Sequence, residues 1–122
     1  MYVASGPFKG TRYGERSFFS AYIPKLLGIY ERELWGVIEA ICESGPTLVV
    51  DIGAAEGYYA IGLANVLPTS KIIAYEASVE GRDELSKMIR LNNCEKTVEV
   101  RGFCSTTELN TILSQNGAAE IQ

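Results

Sequence analysis

The feature that most constrains this chain is an apolar run that ends on an acid and then turns through small residues. Thr47-Leu48-Val49-Val50-Asp51-Ile52 leads straight into Gly53-Ala54-Ala55-Glu56-Gly57. A short continuous apolar run is the pattern of a strand buried on both faces, which requires helices above and below its sheet. Gly53 lets the backbone turn sharply and approach a ligand closely, and Gly57 lets the next helix start close to the strand. Ala54 and Ala55 are small enough to leave the ligand side open. The helix that follows presents N–H groups without intrahelical partners to whatever sits in the crevice. A plain strand-to-helix connection would hardly need so many small residues, so this stretch reads as a ligand loop.

The rest of the chain alternates helix and strand around that loop. Met1 to Ser20 has no clean period and reads as irregular. A helix follows Pro24 and continues past Gly28 from about Tyr30 to Glu43, with Leu34, Val37, Ile38 and Ile41 at helical spacing. Ser44-Gly45-Pro46 stops it, glycine taking the left-handed turn and proline being unable to continue. After the loop, a helix is expected over Tyr58 to Leu67 with Ile61, Ala64 and Leu67 inward. Lys71 to Tyr75 is a second strand, and Val79 to Asn92 a helix facing inward through Leu85, Met88, Ile89 and Asn92. Thr97 to Arg101 alternates as a half-buried strand does. Ser105 with Glu108 fits a capping box, opening a helix through Leu109, Ile112 and Leu113 that ends near Gly117.

Such alternation implies an α/β fold, a Rossmann-like three-layer sandwich with parallel strands ordered 3-2-1 and right-handed crossovers. Residues 1–45 form an irregular and helical lead-in, and residues 46–122 a partial ligand-binding α/β domain.

Composition removes several function classes. A net charge of −4 with scattered Lys and Arg argues against wrapping nucleic acid, which needs a clustered basic stripe. No apolar run is long enough to span a bilayer, and Met1 to Gly10 lacks the apolar core of a signal peptide, so no membrane association and a cytoplasmic location are expected. Cys42, Cys94 and Cys104 are widely spaced and odd in number, which argues against a disulfide framework. All three read as core thiols. With no histidine in the chain, His-based catalysis and His-ligated metal are excluded, and Cys104 has no histidine to activate it.

A dinucleotide fingerprint starting at Gly53 would need glycine at the positions of Ala55 and Tyr58, so the NAD reading fails at two of three places. Asp51, just before Gly53, suits instead a ligand that carries a cationic amino group and a sulfonium. That favours S-adenosylmethionine. Glu76 closes the second strand in Ala74-Tyr75-Glu76-Ala77, about twenty residues past the loop, where a carboxylate can accept hydrogen bonds from both ribose hydroxyls.

With these residues in place, Asp51 to Gly57, Tyr58-Tyr59-Ala60 and Glu76 resemble motifs I and II of the Rossmann-like (class I) S-adenosylmethionine-dependent methyltransferases. The look is nearest to FkbM-like enzymes. Gly6-Pro7-Phe8-Lys9-Gly10 and Leu26-Leu27-Gly28-Ile29-Tyr30-Glu31 resemble the lead-in of such proteins. The chain departs from the pattern at Ala55, where motif I often has glycine. The resemblance implies cofactor contacts from Asp51, Gly53, Ala54, Ala55, Gly57, Glu76 and Ala77. It also implies an adenine contact from the loop Gly102-Phe103-Cys104-Ser105, which lacks the acid often found there and so offers backbone groups or Phe103. Lys9, Arg12, Tyr13 and Tyr30 either fold over the cofactor or acceptor, or belong to an amphipathic helix on the sheet. Trp35 reads as a core or interface anchor.

The resemblance further implies a seven-stranded sheet ordered 3-2-1-4-5-7-6. Only strands one to three are expected here, the chain stopping at Ala118-Ala119-Glu120-Ile121-Gln122, where strand four should begin. Leu48-Val49-Val50 would then be an apolar edge with unpaired backbone. Self-association as a homo-oligomer through that edge, or its coverage by the N-terminal segment, is the consequence. The implied reaction is methyl transfer to an unknown oxygen or nitrogen acceptor, with the general base unidentified. A non-catalytic module that self-associates and binds nucleosides weakly or not at all is the alternative.

Overall fold

The computed structural model describes residues 1–14, 22–28, 31–116 and 119–121. The apolar run forms β1 (Leu48–Ile52), which pairs in parallel with β2 (Lys71–Tyr75), and β2 pairs in parallel with β3 (Val98–Arg101). Three helices connect or follow these strands: α3 (Tyr58–Val66), α4 (Val79–Leu91) and α5 (Thr106–Asn116). Ahead of them lie α1 (Tyr22–Leu27), a single 3₁₀ turn (Arg32–Leu34) and α2 (Trp35–Ser44). No helix among the described residues is long and apolar enough to cross a membrane.

The sheet carries one strand more than expected. β4 (Ala119–Ile121) pairs in parallel with β1, Val49 opposite Ala119 and Asp51 opposite Ile121, giving the order β3-β2-β1-β4. The bare β1 edge expected from the sequence is therefore covered from within the chain along these residues. Among the described residues, β4 rather than β1 stands at the edge of the sheet.

Strand pleating sorts the core into two layers. Val49, Ile72 and Ala74 face α3 and α4 in the larger cluster, whereas Leu48, Val50, Ile73 and Tyr75 face Ile112 and Leu109 of α5. This is the three-layer α/β sandwich. β1 and β2 read as unbroken apolar runs because each face has its own helical layer.

The helices follow most of the expected stripes, although Asn92, expected on the inner face of α4, is its half-exposed C-cap; two further differences are instructive. On α4, Leu85, Met88 and Ile89 are buried, and Ser78 caps its start by accepting from the Gly81 N–H at 3.2 Å. On α5, the Glu108 N–H donates to Ser105 Oγ at 3.1 Å, the capping expected from the sequence. On α2, however, only Ile38 is buried, and Val37 is 56% exposed. The helix faces inward through Ile38 and Cys42, one turn apart, which turns Val37 to the outside. The expected helix is also interrupted: Gly28 and Glu31 both adopt left-handed backbone (φ 80° and 47°) before α2 begins.

The other difference is α3, buried nearly all round. Its outer side is covered by residues 1–14, which are irregular as expected for that part of the chain but folded back on themselves. Tyr2 and Arg12 form an antiparallel bridge, with Val3 N–H to Thr11 O at 2.8 Å and Gly10 N–H to Val3 O at 2.9 Å. This hairpin-like loop sets Phe8, 2% exposed, edge-on to Tyr58 and Tyr59, with ring centroids 5.3 and 5.8 Å away. An amphipathic helix on the sheet is not what residues 1–14 form.

Phe8 needs Gly62. A Cβ at that position would lie 2.3 Å from Phe8 Cγ, so glycine in mid-helix makes room for the ring. Gly62→Ala should gain about 1 kcal/mol of helix propensity and lose about 1–3 kcal/mol to overpacking. We therefore expect a net loss of stability in urea unfolding. A more stable variant would contradict the packing of the N-terminal loop on α3.

Candidate functional site

The two acids singled out in the sequence lie on one face of the sheet. Asp51 pairs with Ala74 in register, and Glu76 follows Ala74 by two residues, so both point to the α3 and α4 side at the carboxyl ends of their strands. In an open α/β sheet this end, beyond neighbouring strands, is where ligands bind.

Glu76 ties two loops together. Its Oε1 accepts the Ala55 N–H and its Oε2 the Ser78 N–H, each at 2.9 Å. The side chain is 7% exposed and rests on Gly81, where a Cβ would come 2.7 Å from Glu76 Cγ. Gly81 thus gives the carboxylate its place in the first turn of α4, a role the sequence alone did not reveal. Arg82 adds a further tie, Nη1 donating to the carbonyls of Glu76 and Ala77 at 2.8 and 2.9 Å.

The ligand loop hangs on the end of β2. Gly53 and Ala54 N–H groups both donate to Tyr75 O, at 2.8 and 2.9 Å, and the Gly57 N–H donates to Ala54 O at 2.9 Å. Gly53 (φ 76°), Ala55 (φ 50°) and Gly57 (φ 100°) are all left-handed. Ala55 therefore carries strain, on the order of 1–2 kcal/mol for a residue with a Cβ. This geometry would suit glycine at that point, and it presents the Ala55 N–H to Glu76.

Asp51 is 2% exposed, and its Oδ2 is buried without a hydrogen-bond partner. Burial raises its carboxyl from the usual range to about 7, the Ala60 backbone N–H opposing and the neighbouring Glu76 adding to the rise. Among the described residues neither acid has an ion-pair partner.

Between the strand ends lies a cleft of about 210 Å³, lined by Ile52, Gly53, Tyr75, Glu76, Ala77, Gly102, Phe103 and Cys104. Of the residues expected to contact a cofactor, Gly53, Glu76, Ala77 and Phe103 line it. Space opens where a Cβ on Gly53 would be, and Phe103 stands 77% exposed on the rim. Asp51, Ala54, Ala55 and Gly57 do not line the cleft. Gly57 packs instead behind it, where a Cβ would come 2.6 Å from Leu85 Cδ1.

Cys104 and Cys42 are half-buried thiols packed against the edges of the two core clusters, and Cys104 also lines the cleft. Cys94 is the buried thiol, pushed up to about 11 mainly by burial. Trp35 packs beside Gly6, with the Arg32 guanidinium 5.3 Å from its ring centre.

Lys9 and Arg12 lie at the far ends of α3 and α4, beside Asn65 and Asn92, in a larger polar cleft of about 330 Å³. Its size does not make it the better site: Asn92 is occupied there with the Arg12 backbone, donating to its carbonyl and accepting from its N–H at 2.8 Å each. Among the described N-terminal candidates, Tyr13 alone reaches the ligand loop, donating to Glu56 Oε1 at 2.5 Å. Tyr30 lies outside the described residues.

The fold has structural relatives. An O-methyltransferase from Bacillus cereus in complex with SAH is 27% identical over 62% of this chain and 35% of its own, with a TM-score of 0.54. The chain has the class I methyltransferase fold. An SAH-bound methyltransferase from Podospora anserina superposes with a TM-score of 0.56 at 16% identity, over 76% of this chain and 37% of that one. P. horikoshii TYW2 in complex with MeSAdo gives 0.50 at 24% identity, over 72% and 30%. At these identities the last two speak for the fold alone. The chain spans about a third of the length of these three proteins. No family profile matches it, and no curated protein is significantly similar.

The raised Asp51 carboxyl has a stability consequence with a definite sign. From about pH 4, the ordinary aspartate value, to about 7, the native state holds a proton that the unfolded chain has lost. Stability contributed by the protonated acid is thus present at low pH and lost as pH rises through that window. Asp51→Asn removes the loss. Its stability relative to wild type should rise across the window, by on the order of 4 kcal/mol, in urea unfolding at several pH values. A pH-independent difference would contradict the assignment.

Proposed function

We propose that this chain is the cofactor-binding portion of an S-adenosylmethionine-dependent methyltransferase. The observation that carries the reading is Glu76, buried at the end of β2, lining the cleft and hydrogen-bonded to the loop that turns through Gly53. It is supported by the fold and by the 27% identical relative that holds SAH.

The residues fit such a ligand in three respects. An ionised carboxylate has about four lone-pair positions. Two on Glu76 are taken by backbone N–H groups, leaving acceptors for the two ribose hydroxyls. Asp51 brings a buried carboxylate oxygen without a partner, in a setting where a neighbouring cation would favour ionisation. That suits the methionine amino end, directly or through water. The open side of Gly53 admits close approach, and exposed Phe103 offers an apolar face to adenine.

S-adenosylmethionine would supply a methyl group already activated on sulfonium. What the chain contributes is position: Glu76 and Asp51 fix the two polar ends, Glu76 held by the Ala55 N–H of the loop and Asp51 meeting the Ala60 N–H of α3. Fixing the donor in line with an acceptor would account for most of the rate advantage. The acceptor in this reading is an oxygen or nitrogen nucleophile. FkbM-like enzymes are the subfamily we favour, on the lead-in residues Gly6 to Gly10 and Leu26 to Glu31.

Calorimetry with S-adenosylmethionine, S-adenosylhomocysteine and NAD tests this directly. Both sulfur nucleosides should bind and NAD should not. Glu76→Ala should weaken binding by about 30-fold or more, roughly 2 kcal/mol for charged hydrogen bonds lost. Binding of neither sulfur nucleoside to the folded wild type would leave a non-catalytic module as the better description.

A further inference from the structure

Glu56 sits in the middle of the ligand loop, yet it faces away from the cleft. It is 1% exposed and forms an ion pair with Lys25 of α1, itself 3% exposed, while the Tyr13 hydroxyl donates to the same carboxylate oxygen. The Lys25 ammonium also lies 5.9 Å from the centre of the Tyr58 ring at the start of α3. Taking two charges out of water is expensive, and an apolar pair of the same volume often serves stability as well or better. A buried pair that bridges three separate segments is better accounted for by what it positions.

Both ends of the pair are held firmly. On the Lys25 side, the N-terminal loop crosses α1 at close range: the Ala4 N–H donates to Leu26 O at 2.7 Å and Ser5 Oγ to Leu27 O at 2.5 Å. Gly28, at φ +80°, permits that crossing, since a Cβ there would lie 1.7 Å from Ser5 O. On the other side, Glu56 lies between two left-handed residues. Ala55 directs its N–H to Glu76, and Gly57 is wedged against Leu85. A side chain anchored at Glu56 leaves the peptides on either side little freedom to rotate.

We propose that Lys25 and Tyr13 are positioning residues for nucleoside binding, acting through Glu56 to hold the Ala55 N–H on Glu76. The N-terminal segment is then part of the ligand site without touching the ligand, and its docking and nucleoside binding favour one another. The link to binding rests on the function proposed above; the link to loop geometry does not.

The test uses the whole chain with Lys25→Met and Glu56→Met combined, which removes both charges together and keeps the side-chain volumes. Tyr13→Phe is a milder second variant that loses one hydroxyl. Amide hydrogen exchange is read at Ala55 and Gly57 without ligand, and S-adenosylhomocysteine affinity by calorimetry. At a urea midpoint close to wild type, exchange at both amides should quicken by about tenfold or more in the double variant, and affinity should fall by a similar factor. Tyr13→Phe should show a smaller change in the same direction, and Lys25→Arg with Glu56 intact should retain wild-type exchange. Unchanged exchange in the double variant and in Tyr13→Phe would overturn the proposal. Faster exchange with unchanged affinity would overturn its link to binding. A wild type that binds no S-adenosylhomocysteine defeats the proposed function instead, and the exchange measurement still decides the loop.

Discussion

Asp51 and Glu76 share one face of the sheet at the carboxyl ends of adjacent strands, both buried, with no ion-pair partner among the described residues. Much around the cleft follows from accommodating these two acids. Glu76 is stabilised by two backbone N–H groups and by the space above Gly81; Asp51 is placed at the start of α3, where the Ala60 N–H opposes the effect of burial. What remains is a carboxyl raised to about 7 and an oxygen without a partner. A fold selected for stability alone would remove such a feature. Unfavourable polar arrangements of this kind persist where binding uses them.

The loop above the acids is fixed from both sides. Toward the sheet, Tyr75 O accepts the N–H groups of Gly53 and Ala54, and Glu76 takes that of Ala55. Toward the N-terminus, Glu56 meets Tyr13 and Lys25. α3, which begins where the loop ends, is held in the same way, its inner side on the sheet and its outer side under Phe8 at Gly62. A helix apolar on every side is stable in water only when something covers it. The N-terminal loop supplies that cover, which joins the packing of the fold to the geometry of the site.

The parts legible in the sequence were those with a local pattern. Leu48 to Ile52 and Lys71 to Tyr75 read as buried strands, Leu85, Met88 and Ile89 as a helical stripe, and Ser105 with Glu108 as a cap, because neighbours along the chain determine each of them. The acids at 51 and 76 could be found because topology sets their spacing from the glycine loop. The pairing of Glu56 with Lys25 and Tyr13 joins residues 31 and 43 positions apart and leaves no periodic trace. Ala119 to Ile121 is too short to show a strand pattern, so the cover over the β1 edge could not be read. Gly81 and Gly62 sit inside helices where glycine looks merely unfavourable; their purpose appears only when Glu76 and Phe8 are seen against them.

On the function proposed above, Asp51 and Glu76 together receive a ligand that carries a cation. Proton exchange on binding tests it most directly, measured near pH 7 by calorimetry with S-adenosylhomocysteine in buffers of different ionisation enthalpy. An amino group brought beside Asp51 lowers the carboxyl that burial has raised, so binding should release protons from the wild type, and this release should vanish in Asp51→Asn. Binding with the same proton balance in both proteins would contradict the account.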